Sequence, residues 1–337
     1  MKKTNIFWQR FKKNRKAFCS LNILIFLITI SFFAEFIANE KPILVRFNND
    51  FYFPIFKDYP ETNFGGKLLS STDYLDPHLQ NLIKQNGFII FAPIRYSPDT
   101  INLKLTKPAP SKPTSENLLG TDDQARDVLT RIIYAVRISL AFGIVLSFFS
   151  LFIGIYLGAI QGFYAGRLDL YMQRFIEIWS SLPLMFLLII FSSVIQPGFF
   201  SLLAIMLLFS WVGVVGFIRA EFLRLRNFDY VKASQALGAT SSWIILRQIL
   251  PNTAPIILAN LPFLIASSIT TLTALDFLGM GLEVGAPSLG ELLSQGKNNI
   301  MAFWLGISGF IITTLILSIL VFISEGLRDA FDYNKTS

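Results

Sequence analysis

Few side chains in this sequence have the type and spacing for covalent chemistry. Asp122 and Asp123 are adjacent carboxylates, whereas acid–base catalysis needs two titratable groups placed on one reacting atom. They stand just before a long apolar run, where helix capping or a salt bridge is the expected use. Gly290 to Asn298 reads Gly-Glu-Leu-Leu-Ser-Gln-Gly-Lys-Asn. A phosphate loop needs four residues between its glycines and Ser or Thr after its Lys, to seat phosphates and Mg2+. Here five residues separate Gly290 from Gly296, and Asn298 follows Lys297. The segment is therefore not read as a nucleotide site. The chain has one Cys, Cys19, and one His, His78. An internal disulfide is excluded, a His/Cys zinc site is not expected, and His78 reads as a surface or packing residue. Neither H-E-x-x-H nor G-x-S-x-G occurs.

The elements that would have to position any chemistry are themselves apolar. Of 337 residues, 53% are hydrophobic, 34 are Phe and only 15% are charged, against about 25% charged in ordinary globular chains. Mean hydropathy is +0.54. This excludes a disordered chain, a fibrous repeat and a small disulfide scaffold, and predicts an all-α membrane protein. The net charge of +7 reads as loop bias in a membrane protein, not as a nucleic-acid surface.

About six transmembrane helices are expected. Residues 1–17 carry Lys2, Lys3, Arg10, Lys12, Lys13, Arg15 and Lys16 and form a basic cytoplasmic N-terminus. The run 18–38 is long enough to cross the bilayer; a cleaved signal peptide is the rival reading, and the lack of a clean small-x-small site favours an uncleaved anchor. Residues 39–130 form a polar insert outside, with short strands and an extended Pro-rich linker at 106–114. A five-helix core spans 131–325, with spans at 135–160, 174–195, 199–218, 253–275 and 303–324. Loop 219–252 holds Arg219, Arg224, Arg226, Lys232 and Arg247 and is placed in the cytoplasm. The tail 326–337 follows on the same side. Gly154, Gly158 and Gly162, four apart, predict a face that another helix approaches closely.

Two polar stretches invite a functional reading. Residues 230–237 suit a short helix, Gly238 suits its left-handed end, and Pro251 is expected to start the next span. The result is either a plain turn between spans or a compact knob that seats in a partner. Ser267, Ser268, Thr270, Thr271 and Thr273 either line a polar path or bond back to helix carbonyls.

The loop resembles the EAA loop of bacterial ABC-importer permeases, whose pattern is E-A-A, three residues, Gly, then Leu-Pro. Lys232-Ala233-Ser234 stands where E-A-A would, and Gly238 precedes Leu250-Pro251 at the family distance. Leu119 to Val128 is similar to the L-G-T-D-x-x-G-R-D-V signature of dipeptide/oligopeptide permeases. Gly120, Thr121, Asp122, Arg126 and Asp127 are in place, and Ala125 replaces the usual Gly. Asp169, Arg174, Glu177 and Pro183, the stretch Leu275 to Gly281, and Pro287-Ser288-Leu289-Gly290-Glu291 fit the same family. The resemblance covers residues 115–332, and the long insert before Leu119 narrows it to the Yej-type branch.

That resemblance implies a type I ABC importer with a MetI-like permease fold in the bacterial inner membrane, both termini cytoplasmic. It implies a second permease subunit in a heterodimer, ABC ATPase subunits that carry ATP and Mg2+, and a periplasmic substrate-binding protein. The implied substrate is a peptide or a peptide-like compound such as microcin C. Tyr230, Ala233, Ser234, Ala236, Leu237, Gly238, Ala239 and Pro251 would couple to the ATPase. No catalytic, cofactor or metal residue is implied on this chain. A channel, an intramembrane enzyme and a membrane scaffold are the rivals. The sequence has neither a carboxylate ring motif nor a paired acid and base within its spans, and a scaffold does not require the Gly238 to Pro251 spacing.

Overall fold

The computed structural model describes residues 2–331 apart from 67–68, 104, 106 and 197, so 332–337 of the expected tail lie outside the described residues. The chain opens with a basic helix, α1 (Lys2–Lys13), then the apolar α2 (Arg15–Phe32) and the short α3 (Ala34–Ile37). The insert holds β1 (Leu44–Phe47), β2 (Asp50–Tyr52), α4 (Pro77–Asn86) and β3 (Gly87–Ile90). Next come α5 (Val128–Tyr164), α6 (Gly166–Ser180), α7 (Leu184–Val194), α8 (Phe199–Leu225), α9 (Asp229–Ala236) and α10 (Ser241–Ile244). A π-helical segment, Ile245–Ile249, leads into α11 (Leu250–Phe277), followed by α12 (Leu289–Asn298) and α13 (Phe303–Phe331).

Among the described residues, five helices are long and apolar enough to cross a membrane, and a sixth crossing results if α6 and α7 count as one bent span. The straight span expected at 174–195 is corrected here: α6 and α7 meet at 61° across a break before Leu184. Pro183 has no N–H and disfavours a helical residue before it, so Ser181–Pro183 cannot continue α6. Two other boundaries move. α8 runs to Leu225 and the next spanning run starts at Ser241, so the connection expected at 219–252 shrinks to 226–240, with α9 inside it. Pro251 stands in the first turn of α11, as expected, but the helical run is already continuous from Ser241 through the π segment. The π turn accommodates Pro251, because a Pro ring would clash with the Arg247 carbonyl in regular α geometry.

The chain forms two compact units. The first comprises 1–24, 139–283 and 314–337. Its centre is the contact of α5 with α8. A Cβ on Gly158 would sit 2.8 Å from Ile218 Cβ and 3.0 Å from the Val215 carbonyl. Gly154 and Gly162 face Val214 and Phe222 in the same way. The expected stripe is thus a backbone-close helix crossing. Around it, Leu151, Phe163, Val214, Ile218, Phe222, Val231, Ile244 and Ile249 form a buried cluster.

The second unit comprises 25–138 and 284–313. Its insert is a three-stranded antiparallel sheet in the order β2-β1-β3, with Val45 opposite both Tyr52 and Ile89. The β1–β2 turn is Asn48-Asn49 with φ of 49° and 72°. A two-residue hairpin turn of this kind needs positive φ, and Asn tolerates it best after Gly. Val45, Phe47, Phe64, Tyr74, Leu79 and Ile83 form the core beneath the sheet. Asp76 caps α4 by accepting from the His78 amide at 2.9 Å, and the His78 side chain is exposed. Gly290 to Asn298 lies in α12, whose N-cap is Ser288, so it is not a phosphate loop.

Candidate functional site

The loop residues of the first unit build a small knob. α9 ends in a left-handed cap: Gly238 has φ +80°, its N–H donates to the Gln235 carbonyl at 3.0 Å, and the Ala239 N–H donates to the Ser234 carbonyl at 3.0 Å. This pair of bonds is a Schellman motif, which Gly completes without Cβ strain. One face of the knob is anchored. Val231 is fully buried in the α5–α8 cluster. Ser234 Oγ accepts from Gln248 Nε2 at 2.6 Å, and Tyr230 Oη accepts from Asn252 Nδ2 at 3.3 Å. Arg226 Nη1 donates to the Phe163 carbonyl at 2.9 Å, tying the loop to the end of α5.

The opposite face is open. Tyr230, Ala233, Ala236, Leu237 and Gly238 are exposed, Leu237 to 88%, while Ser234 and Ala239 are half-buried. An apolar side chain held this far from the core on a rigid turn offers contact area to a partner. Pro251 is exposed as well, just beyond the π turn that leads into α11. Gln248 and Asn252, which tie the knob down, are site residues that sequence reasoning missed. Gln248 sits two residues before Leu250 and Asn252 one after Pro251, and only the fold shows that their amides reach back to α9.

The signature residues of the second unit do the reverse and turn inward. Asp122 is fully buried. Its Oδ1 accepts from the Gln124 and Arg126 amides at 2.9 and 2.8 Å, and its Oδ2 accepts from Arg126 Nε at 2.7 Å. Arg131, also fully buried, places Nε 3.5 Å from Asp122 Oδ2. Glu291 closes the cluster, with Oε1 3.1 Å from Arg126 Nη2 and Oε2 2.5 Å from Arg131 Nη2. The carbonyls of Pro98 and Gly285 accept from Arg131 Nη1 and that of Ala286 from Nη2. Arginine suits this role because its planar fork satisfies several acceptors at once. Asp127 caps α5, accepting from the Thr130 amide at 2.8 Å, and also accepts from Asn117 Nδ2 at 2.8 Å. Gly120 has φ +77°, and a Cβ there would meet the Ser111 carbonyl at 2.6 Å and Trp304 Nε1 at 2.8 Å. Thr121 Oγ1 accepts from the Ser111 amide. Beside this cluster, burial first, and then the charges of Glu116 and Asp127, raise the pKa of the Tyr96 phenol. It stays neutral and accepts from Asn102 Nδ2 at 3.2 Å.

The expected pair Asp122-Asp123 separates in role: Asp122 is buried in the ion cluster and Asp123 is exposed. Arg131 escaped sequence reasoning; its signal was a charge at the start of an otherwise apolar helix. The hydroxyls of α11 mostly bond to their own helix. Ser268 Oγ, Thr270 Oγ1 and Thr271 Oγ1 each donate at 2.9 Å to the carbonyls of Leu264, Ala266 and Ser267. Ser268 also lies 3.3 Å from Ser147 Oγ. Ser267 and Thr270 are exposed, whereas Thr273 is buried. Among the described residues no cluster of His, Cys, Asp and Glu is arranged to hold a metal ion.

Residues 150–335 match the family described as binding-protein-dependent transport system inner membrane component. Residues 4–56 match the N-terminal TM domain of oligopeptide transport permease C. An Escherichia coli K12 protein named inner membrane ABC transporter permease protein YejE is 53% identical over 97% of this chain and 96% of its own length. An Agrobacterium fabrum protein named peptidoglycan transport system permease protein YejE is 48% identical over 98% and 92%. The oligopeptide transport system permease protein OppC of Bacillus subtilis is 34% identical over 72% and 80%. Among solved structures, a chain of the inward-facing MetNI methionine ABC transporter superposes with a TM-score of 0.52 at 16% identity, over 60% of this chain and 98% of that one. This last likeness concerns the fold.

Proposed function

The chain belongs to the family of binding-protein-dependent transport system inner membrane components, and from that premise we propose that it imports peptides, driven by ATPase subunits that grip the 229–240 knob. The observation that carries the reading is the two-faced knob. It is fixed to α5 and α11 on one side, and it offers Leu237, Ala233 and Ala236 on the other. A partner that binds those side chains and moves would carry α11 with it, because Ser234–Gln248 and Tyr230–Asn252 leave no slack between them. Rigid-body motion of this kind suits alternating access.

The partners in this reading are a second permease subunit, an ABC ATPase that holds ATP and Mg2+, and a substrate-binding protein that delivers cargo on the side of the insert. Both termini and the knob lie in the cytoplasm, in keeping with the Lys and Arg of the N-terminus and of loop 226–240. The names of the relatives, peptidoglycan and oligopeptide permeases, support peptides or peptide-like compounds as cargo, microcin C included. Ser267 and Thr270, exposed on one face of α11, are the hydroxyls best placed to meet a passing peptide backbone. This chain supplies no group to ATP hydrolysis.

The test is co-purification of the chain with its ATPase from detergent, wild type against Gly238→Asp. Loss of ATPase from the variant alone supports the knob as the docking element. Equal recovery with both moves the docking site elsewhere.

A further inference from the structure

None of the first 34 residues is acidic, while seven of the first 17 are basic. The structure gives this charge a defined platform. α1 is held by Phe11, which is buried against Ala17 and Ala330, with Phe7, Phe18, Leu21 and Leu327 around it. A Cβ on Gly326 would clash with Ala17 Cβ of α2 and meet Phe11 Cε2 of α1 at 3.2 Å, so α13 has a notch that takes the start of α2 and the Phe11 ring. The Phe7 and Phe331 rings lie 4.5 Å apart, and Asn14 Nδ2 donates to Asp329 Oδ2 at 3.3 Å. α1 is therefore docked on the last turns of α13 and does not trail free.

The side of this platform turned away from α13 is cationic and aromatic. Lys12, Lys13, Arg15 and Lys16 are exposed, and so is Trp8. Trp8 stacks on Phe11 with ring centroids 5.7 Å apart. Lys12 Nζ stands 5.5 Å from the Trp8 ring and 5.9 Å from the Phe18 ring. An exposed Trp beside an apolar helix is an interface anchor. Cations around it meet phosphate at the same depth. Among the described residues, the acidic side chains on the last turns of α13 are Asp329, which is engaged with Asn14, and the exposed Glu325.

We propose that α1 and the first turn of α2 form a binding site for the headgroups of anionic phospholipids, with Lys12, Lys13, Arg15 and Lys16 on the phosphate and Trp8 at the glycerol level. The site goes beyond transport itself. Because Phe11 pins α1 to α13, a lipid held there braces the first and last helices of the first unit. Charge complementarity selects the occupant: no zwitterionic lipid neutralises four exposed cations.

The test uses the full chain in vesicles of equal phosphatidylglycerol and phosphatidylcholine, extracted gently, with mass spectrometry of the lipids that stay bound. The expected result is an excess of phosphatidylglycerol that falls roughly tenfold in a Lys12→Gln/Arg15→Gln/Lys16→Gln variant. Trp8→Ala keeps every charge, and with it the insertion signal, and is expected to lower the excess about threefold. Lys57→Gln/Lys84→Gln, two exposed cations of the insert, should leave it unchanged. Equal lipid binding by wild type and both α1 variants overturns the proposal, as does an equal loss in the insert control. Absence of any phosphatidylglycerol excess in wild type, with an acidic protein retained on the chain, also overturns it and assigns the platform to that protein.

Discussion

The ion cluster of the second unit and the knob of the first are both built around motif residues, yet they use them in opposite directions. Asp122, Arg126 and Arg131 are buried and pair with one another and with Glu291, whose side chain keeps an edge in solvent. The knob hides Val231 and leaves Leu237 outside. Residues that spend their bonding capacity internally fix a shape. Residues held rigidly with capacity unspent are available to a partner. Shared family spacing therefore marks two kinds of constraint, and burial tells them apart.

The comparison is broken most severely at the cluster. Glu291→Ala would leave two buried guanidinium groups short of a counter-charge, and removing one member of such a set costs about 3–5 kcal/mol. A large fall in the thermal midpoint of the detergent-solubilised chain is expected. An unchanged midpoint would show that water reaches the site. Gly238→Asp comes next: a Cβ at φ +80° costs about 1–2 kcal/mol. Its loss of ATPase recovery should exceed what that modest destabilisation explains. Ala125→Gly acts in the other direction. Ala125 sits at φ +63°, a conformation that favours glycine, so the midpoint should rise by the equivalent of about 1 kcal/mol or less. Smallest in stability is Leu237→Ser, expected within about 0.5 kcal/mol of wild type because the side chain touches little. Its peptide uptake should nevertheless fall. Normal uptake would take Leu237 out of the contact and sharpen the assignment to Ala233 and Ala236.

Local rules made much of this readable in advance. The apolar runs, the glycine spacing on α5 and the glycine at the end of α9 each follow from a few neighbouring residues. What escaped was either non-local or averaged away. Arg131 and Glu291 are 160 positions apart, and no local pattern announces that they meet. The run 174–195 is strongly apolar from Leu184 to Phe191, so its hydropathy hides the break that Pro183 imposes. The α9 tethers, Gln248 and Asn252, look like ordinary polar residues of a loop. Only the turn of the following helix brings their amides onto Ser234 and Tyr230.

The π turn at Ile245–Ile249 also sets a phase. Ile244 and Ile249 are five residues apart, yet both lie in the same buried cluster. In a regular α-helix with 3.6 residues per turn, positions five apart diverge by about 140°. The extra residue of the wider turn removes most of that divergence. Deleting one residue between Ile245 and Ile249 would then act less as a shortening than as a twist. Beyond the deletion the helix would turn by about 100°, and the knob would address its partner with the wrong side while every contact within α9 stayed intact.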